Sequence, residues 1–130
     1  MSRMLVIDDD PSIVQMLRAY FTAKGHNVTV ARGGKEGIAK YNSGVFDIVL
    51  TDLMMPDVIG FQVIDAVKTS KNGARTAVIL VTADKDDPDL SSYKRLEEQD
   101  ATVVKPFDIP ALERKVNSLL KAYARDNTGR

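Results

Sequence analysis

The sequence predicts an α/β domain built as a doubly wound parallel sheet, with helices on both faces. Three observations predict it. Short apolar, mostly β-branched runs recur along the chain without polar alternation, as strands buried on both faces do. Segments with apolar residues at helical spacing separate these runs. The connections are short, and no internal repeat, low-complexity stretch or linker divides the 130 residues, a length suited to one domain. Strict strand–helix alternation implies parallel strands joined by right-handed crossovers.

The elements follow in order. Met4-Leu5-Val6-Ile7 is the first strand, and it runs into Asp8-Asp9-Asp10. Asp10 is a good helix cap and Pro11 suits the first helical position. Ile13, Leu17, Tyr20 and Phe21 give that helix one apolar face, and Gly25 is its expected left-handed terminator. Val28 to Ala31 form the second strand, and Gly33-Gly34 break it. Ile38 and Tyr41 mark a short helix ending near Asn42 to Gly44. Ile48-Val49-Leu50 lead the third strand to Asp52, and Pro56 keeps Met55 out of a helix. Phe61, Ile64 and Val67 line the next helix, with Lys71-Asn72-Gly73 as its expected end. Ala77 to Val81 are the fourth strand, stopping at Thr82-Ala83. Asp87-Pro88 repeats the cap-and-first-turn pairing, ahead of a more exposed helix carrying Leu90, Tyr93 and Leu96. Thr102 to Val104 are a brief fifth strand before Lys105-Pro106-Phe107. Leu112, Val116, Leu119, Leu120 and Tyr123 define an amphipathic last helix. The expected domain covers residues 1–124, and the polar stretch from Ala124 into a tail at 125–130 is expected to fray.

Five strand–helix units fit the flavodoxin-like (βα)5 strand order 2-1-3-4-5, whose switch point lies between the first and third strands. Composition narrows the function. Hydrophobic residues make up 44% and charged residues 28%, ordinary for a soluble globular chain. Lysine plus arginine and aspartate plus glutamate number 18 each, so the formal charge is zero. A neutral chain without a basic run has no electrostatic reason to bind nucleic acid or an anionic membrane directly. Cysteine is absent, which excludes disulfide and thiol chemistry and agrees with a reducing compartment. No apolar stretch is long enough to span a bilayer, and Met4 to Ile7 are too short for a signal peptide. The expected location is the cytoplasm.

The chemistry gathers at the carboxyl ends of the expected strands, where open α/β sheets bind ligands. Strand one ends in Asp8 and Asp9, strand three in Asp52, strand four in Thr82 and strand five at Lys105. Strand two offers only Ala31 and Arg32. Each has an ordinary reading alone: Asp52 turns the chain, Thr82 satisfies a backbone group, Lys105 neutralises acids, Asp10 caps a helix. Their convergence on one sheet edge favours a site. Three close carboxylates repel and raise one another's pKa, and a divalent cation relieves this. All-oxygen ligands, with no histidine or cysteine, favour magnesium over zinc. Magnesium leaves room for a phosphate, lysine suits phosphate oxygens, and a threonine hydroxyl adds a donor. No histidine stands as a general base, since His26 is expected on the surface in the turn before strand two. Asp52 is then the natural nucleophile, giving an aspartyl phosphate.

Four stretches resemble the receiver domain of two-component response regulators: LVIDDDP (Leu5 to Pro11), DIVLTDLMMP (Asp47 to Pro56), VILVTA (Val78 to Ala83) and VVKPF (Val103 to Phe107). The resemblance spans nearly the whole chain. It implies a signalling domain rather than a turnover enzyme, one that at most promotes its own phosphotransfer and dephosphorylation. Asp52 would accept a phosphoryl group from a sensor histidine kinase or a histidine phosphotransfer protein. Asp9 would bind Mg2+ directly, Asp8 through water, and Met54 through its backbone carbonyl. Lys105 would contact the phosphoryl group, and Thr82 would move toward it and carry the signal to an output domain or effector. A phosphorylation-linked dimer is compatible with this. The chain departs from the family at Thr102, where many members have an aromatic switch residue. It departs again at Glu98-Gln99, where a Gly-Ala pair is usual, and at Ile59, where an acid is frequent. Met54 and Asp84 fall at positions that tune phosphoryl lifetime in the family.

Three rivals are weaker. An aspartyl-nucleophile phosphohydrolase needs a second acid two residues after the nucleophile, where Met54 stands. Gly33-Gly34-Lys35 hints at a nucleotide-binding loop, but Glu36 follows where serine or threonine is required. A degenerate receiver acting as a phosphate-independent interaction module would not need all five site residues.

Overall fold

Apolar runs that cannot alternate must be covered on both sides, and the molecule meets that demand with one parallel sheet. The computed structural model describes residues 2–57, 60–83 and 101–128, with side chains through residue 124. Its strands are β1 (Arg3–Ile7), β2 (Asn27–Ala31), β3 (Ile48–Asp52), β4 (Ala77–Thr82) and β5 (Ala101–Val104). They pair in parallel in the order β2-β1-β3-β4-β5, the order expected from the sequence. Alternation along each strand divides the core. Leu5 and Ile7 join Phe61, Ile64 and Val67 on one face. Met4 and Val6 join Leu17, Phe21, Leu112 and Val116 on the other.

The helices start and stop for local reasons. Helix α1 (Pro11–Ala23) has Pro11 in its first turn, and the Asp10 carboxylate accepts from the Ser12 N–H at 2.9 Å. Its buried stripe is Val14, Leu17 and Phe21, with Ile13 and Tyr20 half-buried at its margins. The chain leaves it through Gly25 at φ +96°, a conformation other residues rarely adopt. Helix α2 spans Gly34–Asn42, α3 spans Gly60–Lys68 and α4 spans Ile109–Thr128. The expected start at Asp87-Pro88, the helix of Leu90, Tyr93 and Leu96, and the positions Ile59, Asp84 and Glu98-Gln99 lie outside the described residues.

Three local expectations need correction. Helix α3 ends at Lys68 rather than at Lys71 to Gly73, because the Ser70 N–H and hydroxyl both take the Val67 carbonyl and a 3-10 turn, Gly73–Arg75, follows. From Ala124, where fraying is expected, α4 continues to Thr128. Tyr123 ties this end of the helix to α3, with its hydroxyl 3.1 Å from Lys68 Nζ. His26 lies in its expected turn but is half-buried, hydrogen-bonded to the Ser2 hydroxyl and edge-on to Phe21. Burial pulls its pKa below the usual value.

Candidate functional site

The sheet register assembles the site. Ile7 is paired with Thr51, so the residues that follow, Asp8 and Asp52, stand side by side at the ends of β1 and β3. Asp52 is level with Val81, and Thr82 is level with Val104, which brings Lys105 up beside them. The Thr82 carbonyl accepts the Lys105 N–H at 2.7 Å, tying the ends of β4 and β5 together. Gly60 closes the far side. Its N–H donates to the Leu53 carbonyl at 2.7 Å, and a Cβ there would stand 2.5 Å from the Asp52 carbonyl oxygen. Only glycine lets α3 begin this close to the end of β3.

Carboxylate oxygens of Asp8, Asp9 and Asp52 all lie within 4.8 Å of one another. Asp8 and Asp52 are buried, at 3% and 7% exposure, while Asp9 is exposed. Lys105 Nζ is 2.9 Å from Asp8 Oδ2 and 3.5 Å from Asp52 Oδ1. Asp8 is further held by the Asp10 N–H at 2.9 Å. Burial, reinforced by the neighbouring Asp8 charge, pushes Asp52 up to about 6, with Lys105 opposing and Asp9 adding a little. Burial alone would lower the Lys105 ammonium, but its hydrogen bond and attraction to Asp8, then Asp52, outweigh that and raise it. Among the described residues, three carboxylates stand against one ammonium, and all donors are hard oxygens. That donor set fits magnesium, with room for a further anionic group once the cation is held.

The other expected residues sit where the topology puts them. Thr82 is the last residue of β4 and is buried. In the loop after β3, Leu53 and Met55 are buried at 2% and 7%, whereas the Met54 side chain is 60% exposed. Thr102, in β5, is half-buried. His26 belongs to the opposite end of the sheet, beside Ser2. Asp10 is a helix cap, as its ordinary reading held. Sequence reasoning missed Asp57. Its two carboxylate oxygens accept the backbone N–H groups of Gly34 and Lys35 at 3.1 and 3.0 Å. That carboxylate occupies the start of α2, where a nucleotide-binding loop would have to cradle phosphate. The signal available was the lack of a capping side chain at Gly33.

Residues 4–117 match the family model described as the response regulator receiver domain. The response regulator SaeR of Staphylococcus aureus is 32% identical over 120 residues, covering 92% of this chain and 51% of that protein. The chain spans about half the length of the curated relatives it matches. Two solved structures are similar. The response regulator protein TrrA from Thermotoga maritima, in complex with Mg(2+)-BeF, shares 32% identity at a TM-score of 0.80, covering 92% of this chain and 99% of that one. A CheY-like receiver domain protein from Methanospirillum hungatei JF-1 shares 25% identity at a TM-score of 0.86, covering 97% and 98%. Among the described residues, no helix is long and apolar enough to cross a membrane.

Proposed function

The chain belongs to the response regulator receiver domain family, and from that premise we propose that Asp52 is its phosphoryl acceptor, with residues 1–124 as the receiver unit. The observation that carries this is the buried Asp52 carboxylate beside Asp8 and Asp9, with Lys105 Nζ 3.5 Å away. The carboxylates of Asp8, Asp9 and Asp52 and the backbone carbonyl of Met54 would hold Mg2+. When bound, magnesium supplies the positive charge that lets an anionic phosphoryl group approach three carboxylates. A relative solved with Mg(2+)-BeF supports the choice of ion.

The donor is a phosphohistidine on a sensor kinase or a histidine phosphotransfer protein. An Asp52 oxygen forms the new bond to phosphorus as the P–N bond breaks, and the electron pair returns to the imidazole nitrogen. Lys105 balances charge on the phosphoryl oxygens. The added charge and acceptor oxygens give Thr82 and Lys105 new partners. Because these two residues are linked through the Lys105 N–H and Thr82 carbonyl, a pull on one moves both. The movement biases the surface that includes β5 and α4 between two states. An output domain or effector preferring one state reads the signal, and a phosphorylation-linked dimer would use the same surface. Turnover is limited to the domain's own phosphotransfer and dephosphorylation, and the setting is cytoplasmic.

Intact-mass analysis after incubation with acetyl phosphate tests the acceptor. The expected result is one added phosphoryl mass that requires magnesium, disappears with EDTA and is absent from Asp52→Asn. No adduct with any donor would leave a phosphate-independent interaction module. Rapid phosphate release over many turnovers without a lasting adduct would point to a phosphohydrolase. The relay has its own test: Thr82→Ala should weaken the response of partner affinity to phosphorylation, and an unchanged response would remove Thr82 from it.

A further inference from the structure

Helix α2 begins without a cap of its own. Gly33 stands at its N-cap and offers no side chain, yet the first N–H groups of a helix need acceptors and carry partial positive charge. Asp57 supplies them from another part of the chain. Its Oδ1 accepts from Gly34 at 3.1 Å and its Oδ2 from Lys35 at 3.0 Å. Gly33 also makes room for this carboxylate, because a Cβ there would sit 3.1 Å from Asp57 Oδ2. The Gly33-Gly34 pair is therefore a seat for a carboxylate twenty-odd residues away in sequence.

The location of Asp57 gives that seat a second consequence. Asp57 closes the stretch that begins at Asp52 and includes Met54. The Leu53 end of this stretch is fixed: its N–H donates to the Val81 carbonyl at 2.9 Å, and its carbonyl accepts from Gly60 at 2.7 Å. The buried side chains of Leu53 and Met55 anchor either side of Met54. Asp57 provides the anchor beyond Met55, and it does so through rigid helix backbone rather than a mobile side chain. We infer that Asp57 is a positioning residue for magnesium, clamping the Asp52–Asp57 stretch to the start of α2 so that the Met54 carbonyl is already placed for the ion. This rests on the reading above in which Met54 is a ligand through its carbonyl. The physical warrant is preorganisation: partners that orient metal ligands are worth roughly 10–100-fold in metal affinity.

The test is a magnesium titration of the full chain, followed by calorimetry and by the 1H–15N resonances of Gly34 and Lys35. In the wild type, both amides should shift as magnesium binds, although neither touches the ion. Asp57→Ala should raise the magnesium dissociation constant by about tenfold. Asp57→Asn keeps one acceptor oxygen and should restore part of the affinity. Gly33→Ala, which crowds the carboxylate without removing it, should fall between wild type and Asp57→Ala. The half-saturating magnesium for acetyl phosphate labelling should rise by the same factors. A lower labelling plateau with unchanged half-saturation would mean a general loss of structure and would overturn the inference. So would an unchanged dissociation constant in Asp57→Ala and Asp57→Asn alongside normal wild-type labelling, and that outcome leaves the acceptor role of Asp52 intact. A wild-type protein that takes neither magnesium nor phosphate would bring down the proposed function and this inference together.

Discussion

The two ends of the sheet both bury polar groups, and they do so in opposite ways. At the amino end, the buried Thr76 hydroxyl donates to the Phe46 carbonyl at 2.9 Å and lies 3.3 Å from the Tyr41 hydroxyl. Tyr41 is also 2.8 Å from the Ser70 hydroxyl. Lys68 Nζ donates to the Thr76 carbonyl at 2.7 Å and sits over the Tyr123 ring. These groups draw α2, α3, α4 and the chain entering β4 into one paired network. At the carboxyl end, among the described residues, Asp8, Asp9 and Asp52 crowd together around Lys105, and burial holds Asp52 at about 6. The difference teaches a division of labour. The amino end is complete within the chain and holds the fold. The carboxyl end holds like charges close together, and the fold carries their repulsion.

The largest effect that would break this contrast comes from the amino end. Thr76→Val keeps the shape but removes the hydroxyl that serves Phe46, Asn72 and Tyr41. Tyr41 keeps Ser70 and Asn72 keeps the Arg75 N–H, but losing the partner of the buried Phe46 carbonyl should cost about 2 kcal/mol and lower the thermal midpoint by roughly 10 °C. Acetyl phosphate labelling of Asp52, measured well below that midpoint, should proceed as in the wild type. A labelling rate that fell along with stability would mean the two ends are coupled and the division is false.

The two ends also differ in how far they could be read from sequence. The carboxyl end was legible because parallel topology makes it so: once the apolar runs fix five parallel strands, the residues that end them must share an edge. Asp8, Asp52, Thr82 and Lys105 needed no knowledge of side-chain contacts. The cap at Asp10 and the turn at Gly25 were legible for a related reason, since each depends on its immediate neighbours. The amino-end network was not legible. Tyr41, Ser70 and Thr76 meet only after three helices and two strands have packed, and no periodicity marks them as partners. Asp57 on Gly34 and Lys35 is the same kind of contact. The continuation of α4 was missed because its polar composition suggested fraying, while the Lys68–Tyr123 contact that steadies it is tertiary.

A smaller effect of opposite sign comes from the carboxyl end. Asp52→Asn keeps the shape and removes a carboxylate that the fold holds at a disadvantage. At pH 8 in EDTA it should stabilise the apo domain by about 1–2 kcal/mol, less than the whole pKa displacement implies because the exposed Asp9 side of the site stays hydrated. Calorimetric melting of the two proteins checks this. Saturating magnesium should narrow the gap, since the ion binds the wild-type site more tightly and stabilises it by mass action. A destabilised apo variant would show that Asp52 contributes to the fold as the amino-end hydroxyls do.

The smallest effects lie in the pH course of that gap. In the folded apo protein Asp52 takes up its proton as pH falls through about 6, whereas its ordinary value is 3.8. Between those values the folded state binds more protons than the unfolded chain. The Asp52 contribution to stability is therefore fully present below about pH 4, is lost as pH rises through about 6, and is level above that. The gap between wild type and Asp52→Asn in EDTA should open over the same window, with its midpoint about halfway between the two values. Lys105→Met should move the midpoint up, because the ammonium 3.5 Å away favours the ionised form. Asp9→Asn should move it down by less, because Asp9 acts on Asp52 more weakly than Lys105 does. A midpoint insensitive to both changes, and to Asp8→Asn as well, would mean that burial alone sets it. The carboxyl end would then be a desolvated pocket rather than a cluster of interacting charges, and the case for a cation there would rest on ligand type alone.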